Sequence, residues 1–333
     1  MNTVGVLGAG AWGTAVATLL AENGYKVRLW CHESDVANTI NSTRINAAYL
    51  PGIILSDRIH AVTDIAQAIC ESQWIFQAIP ITYLRNVLES ARDCYNEDQI
   101  WVVLSKGIEQ KTLMLPTHII DDVFGGNTKK AVFSGPSFAI ELAKKQITAV
   151  TLAATDCTIG LELQKILANS YFRPYISLDI IGAQVGGALK NVLTLGVGML
   201  DGALYSDNVK AFLITRGLRE IVGITVALGG KQETIYGLSG VGDLVLTSMG
   251  QSSKNLAFGK RLGRGTTLTA ITQESGTLPE GINTIQSVYE LIQAKKLDLP
   301  ICQGLYHVIF NNKNIHEFLA ELMARPLEAE CTL

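Results

Sequence analysis

The chain has no CxxC pair among its six cysteines and no HxxxH spacing among its five histidines. Cys31, Cys70, Cys94, Cys157, Cys302 and Cys331 are scattered singly, which excludes a disulfide framework and zinc-type spacing. His32, His60, His118, His307 and His316 form no ligand cluster, so no metal is expected. Reduced thiols in a cytoplasmic protein are the simplest reading. Charge is also scarce. Only 17% of residues are charged, the formal net charge is −3, and there is no long basic run, which argues against a nucleic-acid partner. Met1 and Asn2 lead straight into a strand-like run, so no signal peptide is expected. The longest apolar stretch, Ile180 to Leu200, is interrupted by Gln184, Lys190 and Asn191. A charge at a bilayer centre is costly, so this stretch reads as a buried helix and no membrane span is expected. Internal repeats, low-complexity tracts and long linkers are absent.

What is present is a large apolar fraction, 48% over 333 residues, enough for two domains with substantial cores. The most informative segment is Gly8-Ala9-Gly10-Ala11-Trp12-Gly13, a GxGxxG loop. Thr3–Leu7 before it is a short buried-strand pattern. Thr14 to Glu22 has helical apolar spacing with Asn23-Gly24 as a stop, and Tyr25–Trp30 reads as a second strand. In this frame Gly8 makes the tight turn, Gly10 lets backbone approach a pyrophosphate, and Gly13 lets helix and strand pack closely. The free N–H groups at the helix start hold the diphosphate. The frame predicts a dinucleotide site.

Strand-like runs continue at Trp74–Ile79, Ile100–Leu104, Ala131–Phe133 and Thr148–Ala153, alternating with helical patterns. That order predicts an α/β fold with a mostly parallel sheet covered on both faces, its crevice at the carboxyl ends of the strands. From about Ile180 the pattern becomes helical, with helices expected near 180–204, 208–228, 252–264, 281–296, 300–311 and 315–324. The division therefore falls between a dinucleotide-binding domain, 1–179, and a helical substrate domain, 180–333. The last residues, from about Leu327, lack periodicity and are expected to fray.

Three polar islands interrupt the apolar second half. Gly182, Gly186 and Gly187 precede Lys190 in one helix, and each costs about 1 kcal/mol relative to alanine. They imply close approach by another backbone or a ligand. A lysine buried there has a lowered pKa and suits general acid–base work; the alternative is a lysine that snorkels to the surface. Gly237-Leu238-Ser239-Gly240-Val241-Gly242-Asp243 ends in a carboxylate that either orients Lys190 or caps a helix. Gln251-Ser252-Ser253-Lys254-Asn255 offers hydroxyls, an ammonium and an amide at a helix start, fit for a phosphate or simply a capped polar loop.

The motifs GAGAWGTA (8–15), NAAYLPG (46–52), SKG (105–107), SGPSFA (134–139), GGALKNV (186–192), GLSGVGDLVLT (237–247) and SSKNLAFG (252–259), in this order, resemble the bacterial-type NAD(P)-dependent glycerol-3-phosphate dehydrogenases over nearly the whole chain. The resemblance implies a Rossmann-type N-terminal domain followed by an all-helical C-terminal domain. It implies reversible hydride transfer between the nicotinamide and C2 of glycerol 3-phosphate, giving dihydroxyacetone phosphate, a reaction that feeds phospholipid synthesis. By motif, Lys190 is the general acid–base. Lys106 contacts cofactor and substrate, Gly135 and Ser137 the substrate, and Ala139 the cofactor. Asp243 lies beside Lys190. Ser253, Lys254 and Asn255 hold the substrate phosphate, with Lys254 also reaching the cofactor. Leu278 and Glu280 are cofactor contacts, alongside Gly8, Gly10, Ala11, Trp12 and Gly13 of the loop. A homodimer is compatible with the family.

The chain departs from the family's pattern at two positions. Lys254 stands where arginine is usual, keeping charge but losing the planar fork. Ile81 stands where serine usually follows the proline, so no role is carried to it. The second strand ends Trp30-Cys31-His32, with His32 placed to donate to a 2′-phosphate, to stack on adenine, or to remain a solvated loop residue. The cofactor is NADP or NAD, with NADP favoured. The alternatives are another hydroxyacid or polyol dehydrogenase of hydroxyisobutyrate or ketopantoate type, and a non-catalytic dinucleotide-binding regulator. The phosphate-suited cluster weighs against the first, and a lysine on a glycine-lined apolar helix against the second.

Overall fold

Short apolar strands and helices alternate over the first half of the chain in the computed structural model, which describes residues 3–126, 128–250, 252–276, 278–327 and 329. The strands are β1 (Thr3–Leu7), β2 (Lys26–Trp30), β3 (Ile59–Val62), β4 (Trp74–Gln77), β5 (Ile100–Val103), β6 (Lys129–Ser134), β7 (Thr148–Ala154) and β8 (Phe172–Ser177). Between them run α1 (Ala11–Glu22), α2 (Ser34–Thr43), α3 (Ile65–Ile69), α4 (Ile81–Ser90), α5 (Pro116–Phe124), α6 (Ala139–Ala143) and α7 (Cys157–Leu167). The remainder is helical: α8 (Ile180–Gly202), α9 (Asp207–Ala227), α10 (Gln232–Ile235), α11 (Asp243–Met249), α12 (Lys254–Gly263), α13 (Leu268–Ser275), α14 (Glu280–Lys295), α15 (Pro300–Phe310) and α16 (Ile315–Met323).

The eight strands form one sheet in the order β3-β2-β1-β4-β5-β6-β7-β8. All pairs are parallel except β6 with β7, so the last two strands run against the rest. Val4 sits opposite Val27 on one side and Trp74 on the other. Successive residues of the central strands enter different cores. Val6, Phe76, Val102 and Phe133 pack with α1, whereas Leu7, Ile75, Trp101 and Val132 pack on the opposite face. Burial on both faces is what makes these strands read as continuous apolar runs.

The structure adds elements that the sequence pattern did not single out. β3 is only four residues long, and β8 carries Pro174. A proline is tolerated there because β8 is the sheet's edge. In the helical half, α10, α11 and α13 are short, and Leu238–Gly242 forms a single π-helical turn. The segment expected to fray lies mostly outside the described residues, as do Met1, Asn2, Gln251 and Cys331.

α8 is the axis of the helical half. It is long and apolar enough to cross a membrane by length and composition, but 89% of that stretch is buried inside the protein. Its N-cap Asp179 accepts from Gly182 N at 2.9 Å, and also from Lys231 N and the Thr234 hydroxyl. Its glycines are explained by contacts. A Cβ on Gly186 would come to 2.6 Å from Ser239 O, and one on Gly187 to 2.7 Å from Ser134 Oγ. Further along, Gly198 and Gly202 meet the carbonyls of Leu256 and Lys260, while Gly259 and Gly263 of α12 meet those of Leu195 and Met199. The two backbones thus touch through glycine on both sides. Gly259→Ala should therefore force α12 off α8 and lower stability by about 1–3 kcal/mol, read as a reduced thermal midpoint.

Candidate functional site

The glycine loop follows β1 and enters α1. Gly8 has φ +103°, a left-handed conformation that favours glycine, and a Cβ there would lie 3.0 Å from Ala78 O. A Cβ on Gly13 would collide with the carbonyl of Gly8. Around Gly10 nothing lies within 4 Å, so the space that a pyrophosphate needs is open. Gly10 is also the N-cap of α1 and supplies no side-chain cap. The first N–H groups of a twelve-residue helix therefore point into that space, as an anion site requires. Asn46 fixes the loop. It is buried, and its amide donates to Ala9 O at 2.7 Å and to Thr14 Oγ1 at 2.8 Å. Asn46 opens the NAAYLPG motif, but its spacing from the glycines gave no sign of this contact. Trp12 turns edge-on to Phe133, with ring centroids 5.2 Å apart. These residues fit a dinucleotide.

The carboxyl ends of β5 and β6 bring further groups to the same side. Lys106 follows β5. Gly135, Ser137 and Ala139 follow β6, with the Ser137 hydroxyl donating to Gly135 O at 3.0 Å and Ala139 opening α6. Gln77, at the end of β4, donates to Ser105 Oγ at 2.7 Å and so ties the Lys106 loop to the sheet.

Against this edge the helical half presents a buried charge cluster. Lys190 on α8 is 7% exposed and donates to Asp243 Oδ1 at 2.8 Å and to Thr247 Oγ1 at 2.6 Å. Lys106 reaches across from the sheet and pairs with Oδ2 of the same carboxylate. One buried aspartate thus holds two lysines, one from each half of the chain. Asp243 is the first residue of α11, and Gly242 occupies the capping position, so the carboxylate is not a helix cap. Lys190 does not snorkel.

The electrostatics follow from burial and pairing. Burial pushes the Lys190 ammonium down, Asp243 pulls it back, and the Lys106 charge lowers it again, leaving it at about 8. Burial alone would raise Asp243, but Lys106 and Lys190 together hold its carboxyl below the ordinary value.

A polar chain extends from this cluster. Asn191, next to Lys190, donates to Glu280 Oε2 at 3.1 Å, while its own oxygen accepts from Asn255 Nδ2 at 3.0 Å. Asn255 Oδ1 in turn accepts from Gly281 N at 3.0 Å. Glu280, at the start of α14, keeps an exposed side chain, and the protein packed around it raises its carboxyl against the pull of Lys106 and Lys190.

Sequence reasoning singled out Lys106, Lys190, Asp243, Asn255 and Glu280, and the structure brings all five into this network. It missed the parts played by Thr247 and Asn191. The signal for Thr247 was its position four residues after Asp243 on one helix, where the two share a face. Other candidates stand apart. Ser253 is the N-cap of α12, its hydroxyl accepting from Leu256 N at 3.2 Å. Lys254 is exposed at the first turn of that helix, Leu278 is partly exposed just ahead of α14, and His32 is exposed beyond β2, edge-on to Trp30 at 6.1 Å. Glu33, the acidic residue nearest the end of β2, already accepts from the Tyr49 hydroxyl at 3.0 Å. Ile81 is buried against Gly107. Among the described residues, no group of three or more His, Cys, Asp or Glu is arranged to hold a metal ion.

A dinucleotide loop at the carboxyl edge of a mostly parallel sheet, facing a buried lysine whose pKa is lowered to about 8, defines an NAD(P)-dependent oxidoreductase. Comparisons with known proteins agree. The family model for the NAD-dependent glycerol-3-phosphate dehydrogenase N-terminus matches residues 3–159, and that for the C-terminus matches 179–320. The chain belongs to the NAD-dependent glycerol-3-phosphate dehydrogenase family. It is 37% identical over 338 residues to the glycerol-3-phosphate dehydrogenase [NAD(P)+] of Leuconostoc citreum, covering all of both chains. The crystal structure of glycerol-3-phosphate dehydrogenase from Coxiella burnetii superposes with a TM-score of 0.92 at 32% identity, over 97% of this chain and 99% of that one. A ketopantoate reductase from Ralstonia eutropha covers 96% of this chain at a TM-score of 0.59 but only 14% identity, a likeness of fold alone.

Proposed function

We propose that the chain reduces dihydroxyacetone phosphate to glycerol 3-phosphate, reversibly, with NADP or NAD. The single observation that carries this is Lys190, buried between two halves of the chain and tuned to about 8, in a chain of this family. When bound, the nicotinamide supplies or accepts the hydride. In the reducing direction the Lys190 ammonium donates a proton to the oxygen forming at C2. In the oxidising direction neutral Lys190 removes the hydroxyl proton. Asp243 and Thr247 hold Nζ in place, and Asp243 keeps the ammonium available at neutral pH. Lys106 adds positive charge where an oxyanion develops.

The other site roles belong to the same reading. Gly8, Gly10, Ala11, Trp12, Gly13, Ala139, Leu278 and Glu280 serve the cofactor, with His32 at the adenosine end. Gly135, Ser137, Ser253, Lys254 and Asn255 serve the substrate, Lys254 offering its charge to the phosphate and reaching the cofactor. Residues 1–179 act as the dinucleotide-binding domain and 180–333 as the substrate domain. A cytoplasmic enzyme supplying phospholipid synthesis, with a homodimer as the assembly, completes the proposal.

NADPH consumption, followed by absorbance, tests the substrate. Turnover is expected with dihydroxyacetone phosphate and hardly any with unphosphorylated dihydroxyacetone, because phosphate binding energy is used in the transition state. Equal turnover of both ketones would remove the phosphate site from the account.

A further inference from the structure

On the opposite edge of the sheet from the crevice, two cysteines far apart in sequence come together. Cys70 ends α3 just before β4, and Cys94 ends the 3₁₀ turn Arg92–Cys94 that follows α4. The buried side-chain amide of Gln99 donates to Ile69 O at 3.1 Å and to Cys94 O at 3.3 Å. Gln99 therefore ties the residue next to Cys70 to Cys94, and the Cys70 thiol is near enough to help push the Cys94 thiol up. Cys70 is exposed, and Cys94 is half-buried behind it. Cys70 also lines an open hollow of about 600 Å³ with Ser72, Asn96 and Gln99, wide enough for a small oxidant. The other described cysteines differ: Cys31 and Cys302 are buried, and Cys157 is exposed at the start of α7, on another part of the chain.

We propose that Cys70 and Cys94 are a reversible redox pair, closed to an intramolecular disulfide by hydrogen peroxide. The Cys70 sulfur attacks one peroxide oxygen and the O–O bond breaks, giving Cys70 sulfenic acid and water. The Cys94 sulfur then attacks the Cys70 sulfur. The S–O bond breaks, the hydroxyl leaves with the Cys94 proton as a second water, and the S–S bond forms. Two thiols lose two electrons to one peroxide. Reduction by a small dithiol restores both by exchange. The order of events follows from the surroundings. Burial, with Cys70 and then Asp64 and Asp93 adding to it, pushes the Cys94 thiol up to about 11, so the exposed Cys70 meets oxidant first and Cys94 resolves it.

The bond closes β4 and α4 into a loop. The far end of that loop touches the cofactor side: Ala78 lies against Gly8, and Ile81 against Gly107. Cross-linking its base restrains the unfolded chain, so the oxidised protein should melt at a higher temperature.

The test uses the full chain treated with hydrogen peroxide, alkylated, and digested without reduction. The expected product is one cross-linked peptide pair joining Cys70 to Cys94, lighter by two hydrogen atoms and lost on treatment with dithiothreitol. Its formation should raise the thermal midpoint and leave NAD(P)H turnover unchanged. Cys70→Ser and Cys94→Ser should each abolish the species and the rise while keeping turnover. The proposal is overturned if both cysteines remain alkylatable, if Cys70 proceeds to sulfinic acid with Cys94 free, or if the cross-linked species persists in either variant.

Discussion

Lys190→Met is expected to lower kcat by about 100- to 10,000-fold, the usual contribution of a general acid–base group, with the fold and cofactor binding retained. Methionine is apolar and close to lysine in length, so it fills the space on α8 without a charge. Asp243 would still be paired, because its other oxygen is held by Lys106. Thr247 would still donate to Asp243 O at 2.7 Å. The variant therefore isolates proton transfer from structure. Turnover, a melting curve and NADPH titration check the three parts separately. Near-wild-type kcat would make Lys190 a structural lysine.

Asp243→Asn has a different signature. It removes the carboxylate that the two lysines share, and the Lys190 ammonium loses the main partner that holds its pKa up. Lys190 should then shed its proton in neutral buffer, because a buried charge without a partner neutralises. The reducing reaction would lose its acid. Removing one member of a buried ion pair typically costs about 3–5 kcal/mol, and deprotonation of Lys190 limits the loss to the lower part of that range. Asp243→Asn should thus lose both turnover and stability, where Lys190→Met loses mainly turnover. Chemical denaturation of the two variants side by side measures the difference, and equal stability would mean that Asp243 does not hold the two halves together through Lys106.

The parts of this site legible in the sequence were those whose chemistry is local. Gly8, Gly10 and Gly13 sit within one turn, and their spacing states what a strand-to-helix crossing over a diphosphate needs. Gly182, Gly186 and Gly187 were legible as close approach because glycine in a helix is costly without one, and the contacts with Asp179, Ser239 and Ser134 supply it. What was not legible depends on how distant segments meet. The bonds from Lys106 to Asp243 and from Asn191 to Asn255 join residues far apart in sequence, and no periodicity encodes them. Asp243 itself was ambiguous: the same residue after three glycines suits a cap or an ion pair, and only the placement of Gly242 as cap decides. The short elements failed for another reason. β3 has four residues and α11 seven, too few for a pattern to rise above chance, and β8 was hidden by Pro174, which only its place at the edge permits.

The central claim, that Lys190 is the proton-transferring group at C2, is tested most directly by the pH profile of kcat/KM for glycerol 3-phosphate oxidation. This parameter reports ionisations of the free enzyme. Oxidation needs neutral Lys190, and its pKa lies at about 8. The account predicts that kcat/KM rises with pH and levels off above about 8, that the reducing direction falls over the same interval, and that Lys190→Met loses this ionisation from its residual activity. A profile flat through that interval, or one that survives unchanged in Lys190→Met, would contradict it.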